Sequence, residues 1–201
     1  MASIRAVVVF VLSLASAGCA NTGSEELSRW PLIQQQKQTL TADIQSGVKF
    51  YLITAAQPGG ARVELDKDAL LAEGFNASRS SVVIVHGYGH DIQSDLFEKL
   101  AGAYLLNNYT VNILGVDWGE LCPKPAYITA RRRVAAVGAR VADLLDLLVS
   151  SGLSTPARLH LIGHSLGAHV VGNAAKRTHV ARVTGEQSLV RSNTLANQTK
   201  S

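Results

Sequence analysis

One short stretch limits the folds open to this chain more than any other. Leu159–His169, LHLIGHSLGAH, is an apolar run that meets a serine with a glycine two residues away on either side. Arg158–Ile162 (RLHLI) reads as a strand, and Leu166–Lys176 reads as a helix of small residues. Gly163-His164-Ser165-Leu166-Gly167 therefore stands at a strand-to-helix corner. Gly163 and Gly167 are needed there because side chains would collide as the helix packs back against the strand. Such a corner holds its central residue in a strained backbone and aims the Ser165 hydroxyl into a cleft.

The rest of the chain supplies a frame for that corner. Val48–Thr54 (VKFYLIT) alternates as a strand does, and Gln57-Pro58-Gly59-Gly60 is a turn. Ser81–Val85 (SVVIV) is a β-branched run that opens onto His86-Gly87, the pattern of a buried strand ending in a tight loop. Asp95–Leu106 has helical spacing and stops at Asn107-Asn108, and Thr110–Val116 (TVNILGV) is again strand-like before Asp117-Trp118-Gly119. Val134, Val137, Val141, Leu144, Leu145 and Leu148 form one helical stripe, with Arg133, Arg140, Asp143 and Asp146 off it. Strands alternating with helices imply an α/β fold, a mostly parallel sheet with helices on both faces. Ligands of such sheets bind at the carboxyl ends of the strands.

Composition narrows the class. With 201 residues and 47% hydrophobic residues the chain suits one globular domain with a sizeable core. The net charge of +4 is modest, and its densest cluster, Arg131-Arg132-Arg133, has no interleaved aromatics, so no nucleic-acid groove is expected; the triplet reads as a solvated helix face. Arg5 followed by the apolar Ala6–Ala17 and small residues reads as a secretory signal over residues 1–20, too short to span a bilayer. Ala17-Gly18-Cys19 is a weaker match to a lipoprotein signal, since Ser16 stands where those carry an aliphatic residue. Cleavage after Ala17 would leave Cys19 to pair with Cys122; cleavage after Ala20 would leave Cys122 an odd thiol. Asn76, Asn108 and Asn197 each head a glycosylation sequon. Residues 21–45 read as a loosely ordered polar leader, and no later segment is transmembrane.

A serine at such a corner suits acyl transfer. That chemistry builds negative charge on a carbonyl oxygen, which preorganised backbone N–H groups stabilise. The amide of Leu166, at a helix amino terminus, is one candidate donor; the amide of Tyr88, in His86-Gly87-Tyr88-Gly89, is the other. No metal or organic cofactor is required.

VVIVHGYG, VNILGVDW, RLHLIGHSLGAHVVGNAAKR and VARVTG, in that order and spacing, resemble the pancreatic-lipase family of α/β hydrolases from about Val48 to Gly185. The resemblance implies the amino-terminal part of an α/β-hydrolase lipase domain over residues 46–185, incomplete after the elbow helix and the next strand. It also implies a secreted carboxylester hydrolase working on lipid esters at a lipid–water interface, with Ser165 as nucleophile and Tyr88 and Leu166 as oxyanion donors. One departure stands out. Where the family continues into Leu-Asp-Pro-Ala, this chain has Gln187 at the aspartate position, and no Asp follows Ser165. No triad acid or base is identified. Glu186 sits one place early, which on a strand turns it to the other face. His164 and His169 flank the nucleophile on the wrong side for a general base, His179 reads as a connector, His86 as a support of the oxyanion loop, and Asp117 as a strand end. Residues 186–201 are expected to be a divergent, disordered tail. The alternative reading is a catalytically inactive lipase-like protein that binds lipid or a partner.

Overall fold

The computed structural model describes residues 23–107, 110–180 and 182–186. Residues 1–39 and 40–201 form two compact units. The described part of the first belongs to helix α1 (Gly23–Gly47). The expectation of a loosely ordered leader over 21–45 thus meets a helix: Glu, Gln, Lys and Leu in this stretch favour helical backbone without any apolar stripe to advertise it. The signal segment, Cys19, Gln187, and the sequons at Asn108 and Asn197 lie outside the described residues.

The second unit is built on one six-stranded sheet in the order β2-β1-β4-β3-β5-β6. β1 (Lys49–Ile53) alternates as read, burying Phe50 and Leu52. It pairs antiparallel with the short β2 (Ala61–Val63) and with β4 (Val111–Asp117). β3 (Ser80–Val85), β4, β5 (Leu159–His164) and β6 (Arg182–Glu186) are parallel. The sequence reading named neither β2 nor helix α2 (Lys67–Ala72), whose amino terminus is capped by Asp66 accepting from the Ala69 amide at 2.9 Å. Both are too short to show a period.

Helix α3 (Asp95–Leu106) covers one face of the sheet through Phe97 and Ala101, against Val82, Ile84 and Ile113. Helices α4 (Tyr127–Ser150) and α5 (Leu166–Thr178) cover the other. All six residues of the predicted α4 stripe are buried there, facing Val83, Val85, Leu114 and Val116. Of the basic triplet, Arg131 and Arg132 are solvated as expected, whereas Arg133 reaches back to donate to the Leu121 carbonyl at 3.0 Å.

This topology fixes where a site can form. From β3 the chain passes through α3 to β4 on one side, then crosses through α4 to β5 on the other side of β3. The strand order reverses between β3 and β5, and a crevice opens outside their carboxyl ends. The loop after β3 begins at His86, and the residue after β5 is Ser165.

Candidate active site

β5 stops at His164 because Ser165 leaves the extended region: its φ is 53° and ψ −119°. A non-glycine residue in that region stores on the order of 1–3 kcal/mol of strain, so neighbours must hold it there. They do so through the backbone. The Ser165 amide donates to the Glu186 carbonyl at 2.6 Å, and the Ser165 carbonyl accepts from Ala168 at 3.0 Å as α5 begins. The two glycines make the packing possible. A Cβ on Gly163 would lie 2.4 Å from the Gly167 carbonyl oxygen, and one on Gly167 would lie 2.5 Å from the carbonyl oxygens of Val85 and His86. The elbow therefore seats its helix directly on the end of β3.

The loop after β3 meets the elbow from the other side. A Cβ on Gly87 would come within 2.9 Å of Ser165 Cβ and 3.0 Å of the His164 carbonyl oxygen, so this approach too requires glycine. The loop that carries Tyr88 and the turn that carries Ser165 and Leu166 are thereby brought together. Ser165 is half-buried, and among the described residues its hydroxyl makes no hydrogen bond. Nor does the Tyr88 amide donate to any loop or cap carbonyl among them. The side chains of Leu166 and Tyr88 both pack into the α4–α5 core, and Tyr88 meets Tyr127 edge to face at 5.2 Å.

His86, fully buried, fastens this loop to the end of β4. Its Nε2 accepts from the Trp118 amide at 3.0 Å, which leaves Nδ1–H to donate to the Gly87 carbonyl at 2.8 Å. Its own carbonyl accepts from the Trp118 indole N–H at 2.9 Å, and the two rings stack. Asp117 Oδ1 stands 3.2 Å from His86 Nε2 and accepts from the Gly119 amide at 2.9 Å. Burial alone would push the Asp117 carboxyl up; the backbone amides of Gly119 and Ile92 donate to it, and the group is held below the usual carboxylate range.

One feature escaped sequence reading. His90 stacks on His164 at 5.9 Å, a second bridge between the β3 loop and the elbow. Burial pushes the His90 imidazole below its ordinary value, and His86, His164 and Lys124 push the same way against Asp91. Both histidines are visible in HGYGH and GHS, but their meeting depends on β3 and β5 being adjacent. Cys122, which the sequence leaves either paired with Cys19 or odd, is a buried thiol pushed up by burial, with Sγ 4.0 Å from the Gly87 carbonyl. A hollow of about 470 Å³ beside this loop is lined by Lys49, His90, Asp91, Asp117, Glu120 and Lys124. A second, of about 500 Å³, lies at the opposite, amino ends of the strands near Ser80, Leu159 and Arg182. Ser165 lines neither.

The other candidates fall as follows. The Glu186 side chain shares a sheet face with His164, its register partner, and is exposed. His169 is exposed in α5, and His179 ends that helix in a left-handed conformation, far from the elbow.

A mixed sheet, mostly parallel and covered by helices on both faces, with a strained serine between its third and fifth strands' carboxyl ends, is the architecture of an α/β hydrolase. A family model described as Lipase matches residues 13–189. Human inactive pancreatic lipase-related protein 1 is 34% identical over 146 residues, covering 69% of this chain and 30% of that protein. Pancreatic triacylglycerol lipases of Myocastor coypus and of human are 34% and 31% identical over 140 residues, each covering 68% of this chain. The chain belongs to the pancreatic lipase family. It spans about 30% of the length of these relatives.

Proposed function

We propose that this chain is a secreted carboxylester hydrolase of lipids, with Ser165 as its nucleophile. The observation that carries the reading is the Ser165 backbone at φ 53°, held against Gly87 of the neighbouring loop by contacts only glycine permits. In the step this supports, Ser165 Oγ attacks an ester carbonyl carbon, and the carbonyl electron pair moves onto oxygen between the amides of Tyr88 and Leu166. One such donor contributes about 3–4 kcal/mol in a characterised protease. The hydroxyl proton needs a base, and no residue of this sequence is assigned to that role or to the acid that would orient it. The amino-terminal charge and apolar pattern over 1–20 supports export, and Asn76, exposed on the surface, is the described sequon available for glycosylation. Among the described residues no helix is long and apolar enough to cross a membrane.

A second reading is lipid binding without turnover. Gln187 at the aspartate position and the 34% identity to a relative named as inactive favour it. A fluorophosphonate probe separates the two, since it forms a phosphorus–oxygen bond to Ser165, releases fluoride and yields the proton to buffer. Labelling that is lost in Ser165→Ala supports the hydrolase. Vesicle binding without labelling supports the second reading, and the absence of both overturns each.

A further inference from the structure

The hollow of about 470 Å³ between the β3 loop and the end of β4 carries charge of both signs. Its walls come from residues 49–124, where β3 and β4 finish and β1 begins. Backbone contacts fix them in place. The Gly89 amide donates to the Cys122 carbonyl at 3.2 Å. A Cβ on Gly119 would come within 3.0 Å of the His90 carbonyl oxygen and 3.3 Å of Asp91 Cβ, so the end of β4 lies directly on the β3 loop. The hollow is therefore preformed, as ligand sites usually are.

Its charges are not equally committed. Glu120 is paired with Lys49, and Asp117 accepts from the Gly119 amide. Lys124 and Asp91 both line the hollow, yet among the described residues neither enters an ion pair, with the other or with any third side chain. Asp91 Oδ1 accepts from the Gln93 amide at 2.9 Å. Lys124 is laid down closely: a Cβ on Gly89, whose φ is +68°, would fall 2.3 Å from Lys124 Cε and 2.8 Å from its Cγ. An anion alone would satisfy Lys124 and be repelled by Asp91, and a cation alone would meet the reverse. A ligand carrying both signs at short separation satisfies both.

We propose that this hollow binds the zwitterionic headgroup of a phospholipid, with the phosphate against Lys124 and the ammonium against Asp91. The inference rests on the hydrolase reading for its consequence. His90 lines the hollow and stacks on His164, the residue before Ser165, so headgroup and ester would lie on either side of one imidazole pair. The substrate class is then a glycerophospholipid with a zwitterionic head, in preference to an uncharged acylglycerol.

Calorimetric titration of the 201-residue chain tests this, in a Ser165→Ala background so that no ester is consumed. Monomeric dihexanoyl phosphatidylcholine should bind more tightly than dihexanoyl phosphatidylglycerol, and dihexanoylglycerol should bind least. Lys124→Ala should weaken binding of both phospholipids about tenfold. Asp91→Asn should weaken the choline lipid about fivefold and leave the glycerol-headed lipid no weaker. Both positions are exposed, and the variants should unfold at the parent's temperature. Glycerophosphocholine should bind less tightly than the acylated lipid; equal affinity would make the ligand a free phosphocholine compound and overturn the substrate assignment. Equal affinity for the two phospholipids, or for the variants and their parent, overturns the headgroup site. Fluorophosphonate labelling of the Ser165 chain reports on the hydrolase reading separately. Labelling without headgroup selectivity keeps that reading and rejects the site, whereas selectivity that depends on Lys124 and Asp91 without labelling supports the site and rejects turnover.

Discussion

The two faces of the sheet differ in how they are closed. On the α4–α5 face, side chains from β1, β3, β4 and β5 interlock with Val137, Val141, Leu145, Leu148, Val170 and Val171, all inaccessible to solvent. On the α3 face, Phe97 and Ala101 shelter Val82, Ile84 and Ile113, while Ile162 of β5 is half-exposed and β6 is bare. The site draws on the closed face. Leu166 and Tyr88 both root their side chains in the α4–α5 core. Packing on the closed side of the sheet thus supports the elbow, together with the backbone bond from the Ser165 amide to Glu186 of β6.

That contrast can be broken or sharpened by substitution. The largest effect is expected at Gly167, where the colliding atoms are backbone carbonyls of Val85 and His86 that cannot yield. Gly167→Val should cost more than about 4 kcal/mol and leave little folded protein in a urea titration. Next, Leu145→Ala on the closed face should cost about 2–5 kcal/mol, whereas Ile162→Ala on the open face should cost about 1 kcal/mol or less. Equal losses at the two positions would erase the distinction between faces.

A smaller effect concerns acid. The folded protein holds the His90 imidazole below its ordinary value of about 6.5, so folding favours its neutral form. Stability from this source is complete above that value and falls as pH drops below it toward the folded value. His90→Phe keeps a ring against His164 and removes the proton site. Thermal unfolding between about pH 7 and 5 should therefore fall less steeply in the variant than in the parent. The smallest effect is expected at Leu106, exposed at the end of α3. Leu106→Ser should change stability by no more than about 0.5 kcal/mol.

Legibility in the sequence followed the same division. The α4 stripe, the buried β3 run and the glycine-serine corner were readable because each reports a local physical demand: helical period, burial on both faces, absence of a Cβ. β2 and α2 were not, being three and six residues long. Nor was α1, whose described exposed stretch is mainly polar, with Ile33 and Leu40 exposed among its Gln, Lys and Thr residues. At the site, Ser165, Gly163, Gly167 and the Tyr88 loop were marked by motif. The clasp of His86 on Trp118 and the stacking of His90 on His164 were hidden, because they arise where strands distant in sequence become neighbours.

The hydrogen bond from the Ser165 amide to the Glu186 carbonyl ties the most contorted residue of the described chain to the last residue of its outermost described strand. A tether of that kind works in both directions. Fraying at the rim of the sheet would let the corner unwind toward an ordinary turn and swing the hydroxyl out of aim. Whatever clasps that rim, in this chain or beyond it, acts as a remote tensioner on Ser165.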